Sequence, residues 1–122
     1  MKRDYLRKRR AAFGYAFKGT GRLFRGEAHA QIHLCVALCV IIAGFGFGIN
    51  AMEWCLVVLC IGAVFAAEAF NTALEKLADK VSRETDPLIG AAKDVAAGAV
   101  LILSIASVVV GLIIFLPKIF AG

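Results

Sequence analysis

Three apolar runs, each long enough to cross a bilayer, dictate what this chain can fold into. About 30 Å of hydrocarbon takes roughly 20 helical residues, and the runs extend from about Gln31 to Ile49, Trp54 to Phe70 and Val95 to Leu116. Backbone in lipid must satisfy its own hydrogen bonds, so each run is read as a helix. Asn50-Ala-Met-Glu53 is expected to form the first turn, and Pro117 with Lys118 to end the third helix. Composition agrees. Of the 122 residues 61% are hydrophobic and 19% charged, where an average soluble domain is about 45–50% apolar and about 25% charged. A soluble chain this short leaves much of its surface in water and could not bury such an excess. Lipid is its natural solvent. The length admits a single domain over residues 1–122.

Lysine and arginine set the orientation. Met1-Lys-Arg-Asp-Tyr-Leu-Arg-Lys-Arg-Arg10 opens the chain, and Lys18, Arg22 and Arg25 follow. The turn at Asn50 has no Lys or Arg, whereas the segment between the second and third spans carries Lys76, Lys80, Arg83 and Lys93. The N-terminus and this second connection are therefore expected on the cytoplasmic side. A basic cluster can attract nucleic acid, but beside membrane spans it more commonly anchors the chain on anionic lipid. No short apolar core directly follows the basic start, so no signal peptide is read there.

Residues from about 7 to 26 read as an amphipathic surface helix in the headgroup layer. Phe13, Phe17 and Phe24 recur at helical intervals among Arg10, Lys18, Arg22 and Arg25. Gly14, Gly19 and Gly21 weaken helix propensity, and a break is expected among them. Small residues on the first span (Gly44, Gly46, Gly48) and the third (Ala96 to Ala99, Ser104, Ser107, Gly111) suit close helix packing, including against other copies of the chain. The expected fold class is all-α: three transmembrane helices and an N-terminal surface helix.

The acids are the chemically informative residues. Glu68 interrupts an apolar run, and Asn71, Glu75 and Asp79 follow it. At 100° per residue the three carboxylates fall within about 40° of one another, over roughly 17 Å of helix rise, with Asn71 beside them. A solvated helix end would explain Asp79 and would admit Glu75, but an acid at membrane depth is costly and points to function. Glu27 stands at the start of the first span and Lys93-Asp94 at the start of the third, at the same membrane face. Carboxylates with a lysine and an amide suit a hard divalent cation and its phosphate ligands. One further acid can accept a proton from an attacking hydroxyl. These parts fit phosphoryl transfer, in which positioning and charge neutralisation do most of the catalysis.

Other patterns carry less. Gly14-Tyr-Ala-Phe-Lys-Gly19 lacks the Gly-Lys-Ser/Thr ending of a P-loop, and Gly44-Phe-Gly-Phe-Gly48 lies in an apolar span with no strand before it. His29 and His33, four residues apart, read as interfacial polar residues before they read as a metal pair. Cys35, Cys39, Cys55 and Cys60 lie within apolar runs and read as small packing residues.

Glu68-Ala-Phe-Asn-Thr-Ala-Leu-Glu-Lys-Leu-Ala-Asp79 resembles the signature of the bacterial diacylglycerol kinase and undecaprenol kinase family, and Ala91-Ala-Lys-Asp-Val-Ala-Ala-Gly-Ala-Val100 resembles its second block. The resemblance covers nearly the whole chain from about Lys8 onward. It implies a homotrimer in the bacterial cytoplasmic (inner) membrane, with active sites between neighbouring subunits at the cytoplasmic face. It also implies ATP as co-substrate with Mg²⁺, and a membrane lipid as acceptor. In that family Glu68 looks like the catalytic base, and Glu27 and Glu75 look like the carboxylates that hold the metal with ATP. Asn71 is similar to the family's asparagine beside the acceptor, and Ala97 lies where the lipid headgroup would approach. Lys93 and Asp94 look like the nucleotide-contacting pair, with Tyr15, Lys8 and the Glu84-Thr85-Asp86 turn contributing. Lys8 stands where some members have arginine, and Asp86 where a histidine is expected. Pro87-Leu-Ile-Gly90 and the Ala-Ala-Gly-Ala block look more like the undecaprenol branch than the diacylglycerol branch.

Two other classes compete. A small proton-coupled transporter would carry an acid near the bilayer midplane without clustered ligands. A membrane scaffold would have no need of Glu68, Asn71 and Glu75. Metal-dependent consumption of ATP separates a kinase from both.

Overall fold

A computed structural model describes residues 1–82, 84 and 86–121. Four helices account for nearly all of them: α1 (Lys2–Gly26), α2 (Ala28–Phe47), α3 (Ala51–Val81) and α4 (Pro87–Ala121). The last three are long and apolar enough to cross a membrane. The all-helical class expected from the apolar runs is the one observed.

Each connection has a local cause. Glu27 alone separates α1 from α2, with an extended backbone (φ −111°, ψ 116°). The Gln31 side chain closes this joint by donating to the carbonyls of Phe24 (3.2 Å) and Arg25 (3.3 Å), groups a helix end leaves unpaired. α2 ends on Gly48 in the left-handed region (φ 63°), which glycine adopts without strain. Asn50 then caps α3 in a reciprocal box. Its side chain accepts from the Glu53 amide at 2.9 Å, and the Glu53 carboxylate accepts from the Asn50 amide at 3.1 Å. The expected turn over 50–53 is thus a cap and a first helical turn.

α4 opens with Pro87 at its first position, where a missing N–H costs nothing. Asp86 caps it, its Oδ1 accepting from the amides of Leu88 (2.9 Å) and Ile89 (3.2 Å). Replacing Asp86 by Ala should lower stability by roughly 0.5–2 kcal/mol, the usual cost of a lost cap. Amide exchange at Leu88 and Ile89 together with the unfolding transition in micelles checks this; unaltered exchange at both would contradict it.

Two expectations about helix ends need correction. α1 runs unbroken through Gly14, Gly19 and Gly21. A glycine costs about 1 kcal/mol of propensity but removes no hydrogen bond, and the surrounding Arg, Lys, Ala and Leu are strong helix formers. Pro117 does not end α4 but lies within it. Its fixed φ is helical, and so near the end it forfeits a single backbone bond.

α3 and α4 pair antiparallel along most of their length, with an ion pair near each end. Lys93 binds Asp79 at one end, and Lys118 meets Glu53 at 2.9 Å at the other. The small core lies toward the Glu53 end, where Ile49, Val57 and Ile114 pack with Trp54 and Phe115. Gly44 lets Trp54 in: a Cβ there would sit 2.7 Å from the indole Cη2, whereas one at Gly46 would meet nothing. Gly44→Ala should therefore destabilise by about 1–3 kcal/mol through overpacking, with Gly46→Ala as the near-neutral control. Equal unfolding midpoints for the two variants would contradict this packing.

Little else is covered. α4 buries only Ile114 among its described residues, and Phe45, Phe70, Ile102 and Phe120 are exposed. Such bare apolar helices require lipid or further protein around them. α1 joins the bundle only near its end, where Leu23 is buried and Phe24 meets the Phe65 ring edge-on at 5.1 Å.

Candidate active site

Glu68 sits on α3 facing α2, only 4% exposed. The apolar residues around it place it there. Val57 and Val64 lie on the same face, and all three are among the buried residues of α3. An ionised carboxylate in such surroundings needs a partner. It has one in His33 of α2, whose Nε2 lies 3.2 Å from Glu68 Oε1. Two turns along, Lys76 Nζ approaches Glu27 Oε1 at 3.9 Å. Because α2 and α3 are antiparallel, the His33–Glu68 and Glu27–Lys76 contacts lie on one seam.

Further along α3, Asn71 Nδ2 donates to Glu75 Oε1 at 3.4 Å. The amide's Oδ1 is buried and has no partner among the described residues. An orphaned acceptor beside a carboxylate is an unfinished polar site, since buried polar groups are ordinarily satisfied. One turn further, Asp79 holds Lys93, so the start of α4 is tied to the same face of α3.

The single chain thus brings together Glu68, Asn71, Glu75, Asp79 and Lys93 along α3, with Glu27 on the α2 seam. It does not bring in Lys8 and Tyr15. Both are exposed on α1, and helix rise puts them roughly 28 Å and 18 Å from Glu27 along the axis. Asp94 and Ala97 are exposed on α4, and Glu84 is exposed in the connection, its carbonyl accepting from Ser82 Oγ at 3.2 Å. Thr85 lies outside the described residues. Asp86 spends its carboxylate on the α4 cap. The two histidines separate: His29 is exposed and His33 meets Glu68.

His33 reads from the sequence as an interfacial polar residue, and the structure adds its contact with Glu68. Its position at the start of a span, among apolar neighbours, was visible. Its partnership was not, because that depends on the register between α2 and α3.

Among the described residues, no three His, Cys, Asp or Glu side chains form a ready cation cage. A magnesium ion bound with a nucleotide typically uses one or two protein carboxylates and takes its remaining ligands from phosphates and water. Glu27, Glu75 and the orphaned Asn71 Oδ1 are chemically apt for such a partial set.

The model of the prokaryotic diacylglycerol kinase family matches residues 14–115. The chain is similar to the undecaprenol kinase of Bacillus subtilis (strain 168), 39% identical over 95% of this chain and 94% of that one. It is 36% identical to a diacylglycerol kinase of Synechocystis over 87% of this chain and 61% of that one. With the diacylglycerol kinase of Escherichia coli (strain K12) it shares 33% identity over 80% of each chain. With a family model spanning all three apolar helices and lipid kinases matched over most of its length, the chain belongs to the prokaryotic diacylglycerol kinase family and is a multi-pass membrane lipid kinase.

Proposed function

We propose that the chain transfers the γ-phosphoryl group of ATP, with Mg²⁺, to the primary hydroxyl of undecaprenol at the cytoplasmic face of the bacterial inner membrane. The observation that carries this is Glu68: an acid 4% exposed, on one helix face with Asn71 and Glu75. Such a group at membrane depth is costly unless it acts.

Glu68 takes the proton of the acceptor hydroxyl as that oxygen attacks the γ-phosphorus, and the bond to the β–γ bridging oxygen breaks to release ADP. A base is useful here only within reach of the hydroxyl, and the headgroup-level hydroxyl of a lipid meets that condition at the end of a span. Asn71 orients the acceptor, and Ala97 leaves room for its headgroup. Glu27 and Glu75 hold magnesium, which neutralises charge on the phosphates when bound.

Lys93 and Asp94 meet the nucleotide, joined by Glu84, Thr85 and Asp86, and by Lys8 and Tyr15. The Lys93–Asp79 pair is 36% and 64% exposed at its two side chains. An exposed pair of this kind is worth about 1 kcal/mol or less, so Lys93 can exchange Asp79 for a phosphate at little cost. Lys8 and Tyr15 lie too far along α1 to reach Glu27 in the same chain. A homotrimer with sites between subunits supplies them, and the bare faces of α4 supply its contact surface.

Two lines favour undecaprenol over diacylglycerol: the Pro87-Leu-Ile-Gly90 segment, and the 39% identity to an undecaprenol kinase over 95% of the chain. Initial rates with each lipid in mixed micelles, at matched surface concentration, test the choice. A faster rate with undecaprenol is expected. A clear preference for diacylglycerol would reassign the acceptor while leaving the chemistry at Glu68 intact.

A further inference from the structure

Glu68 is nearly enclosed, its side chain 6% exposed, and among the described residues its carboxylate has one ionic partner: His33 Nε2 at 3.2 Å. His33 comes from a different helix, and its side chain is itself 25% exposed. It also lines an apolar groove of about 310 Å³ between α2, α3 and α4, with Val36 and Val64 as neighbours and Ser104 on the far wall. The ring that touches the base is therefore also part of the groove's wall.

Nε2 is the ring nitrogen that lies 3.2 Å from the acid. An ionised carboxylate only accepts, so a hydrogen bond between the two requires hydrogen on Nε2. Such a bond would occupy Oε1 and leave Oε2 for another donor, and in a phosphoryl transfer that donor is the acceptor hydroxyl. A base is most useful when a third group fixes its orientation. Without one, a carboxylate on a flexible side chain can adopt more than one rotamer.

We propose that His33 is a positioning residue for this reaction: its Nε2–H holds Glu68 Oε1 so that Oε2 faces the lipid hydroxyl at the mouth of the groove. The role rests on the reading of Glu68 as the base. It concerns catalysis at the bound acceptor and leaves nucleotide binding to other residues.

The test uses the full chain in micelles, with His33→Ala and His33→Gln beside the wild type. Gln keeps an N–H donor at nearly the same reach, and Ala removes it. His33→Ala should lower kcat by roughly 100-fold, the scale of a small misplacement of a reacting group, with KM for ATP unchanged and with the same hydrodynamic size as wild type. His33→Gln should recover most of the rate. Wild-type kcat in His33→Ala, or a loss in His33→Gln as deep as that in His33→Ala, would overturn the assignment.

A second readout does not need activity. With ¹⁵N-labelled histidine, the His33 ring should show hydrogen on Nε2, and its resonance should shift in Glu68→Gln. A ring protonated only at Nδ1, or one indifferent to Glu68→Gln, would overturn the contact. Should the wild-type chain phosphorylate no lipid, the kinase reading of this chain fails, while the resonance still decides whether His33 holds Glu68.

Discussion

Glu68→Gln should reduce phosphoryl transfer by roughly 100- to 10,000-fold, the usual contribution of a general base. The substitution keeps the volume and shape of a side chain that is 4% exposed, so packing against α2 is preserved. It removes the negative charge, while the amide oxygen of Gln can still accept from His33 Nε2, so the contact with α2 need not be lost. Assembly size and nucleotide binding should therefore stay close to wild type while the rate falls. Initial rates, hydrodynamic size and nucleotide affinity measured on one preparation separate these effects. Full activity in a folded Glu68→Gln variant would remove the base from the mechanism.

The second large effect is expected at Glu75. Its Oε1 accepts from Asn71 Nδ2, and its neighbour Lys76 approaches Glu27 across the α2 seam. Glu75→Gln keeps a side chain able to contact Asn71 but removes a negative charge that a hard cation needs. The Mg²⁺ concentration for half-maximal rate should rise by about tenfold or more, a loss of about 1.4 kcal/mol in affinity. Saturating Mg²⁺ should recover a substantial part of the rate, which distinguishes this variant from Glu68→Gln. An unchanged Mg²⁺ requirement would move the metal ligand elsewhere in the chain.

Much of this fold is legible because lipid imposes a simple demand. A spanning segment must be helical, apolar and about 20 residues long, and three such runs can be read off directly. The α3 acid face is equally legible, since Glu68, Asn71, Glu75 and Asp79 share a helix and periodicity alone relates them. Helix ends are less so. Gly14, Gly19 and Gly21 weaken α1 without breaking it, and Pro117 stays helical because only one backbone bond is at stake near the end of α4.

Contacts between helices are the least legible. His33 meets Glu68, Lys93 meets Asp79, and Lys118 meets Glu53. Each depends on a register set by packing along the whole seam, such as Trp54 seated over Gly44. Asp86 illustrates a different gap. The residue expected to touch nucleotide also caps α4, a local role that depends on where that helix begins.

On the proposed mechanism, the acid face of α3 serves phosphoryl transfer to a lipid hydroxyl. Transfer of radiolabelled γ-phosphate from ATP to lipid by the purified chain, with Mg²⁺ present or chelated, tests it most directly. The expected product is a labelled lipid phosphate that disappears on chelation. No labelled lipid from folded protein, with undecaprenol and diacylglycerol both supplied, would contradict it and return Glu68 to a proton-coupled role.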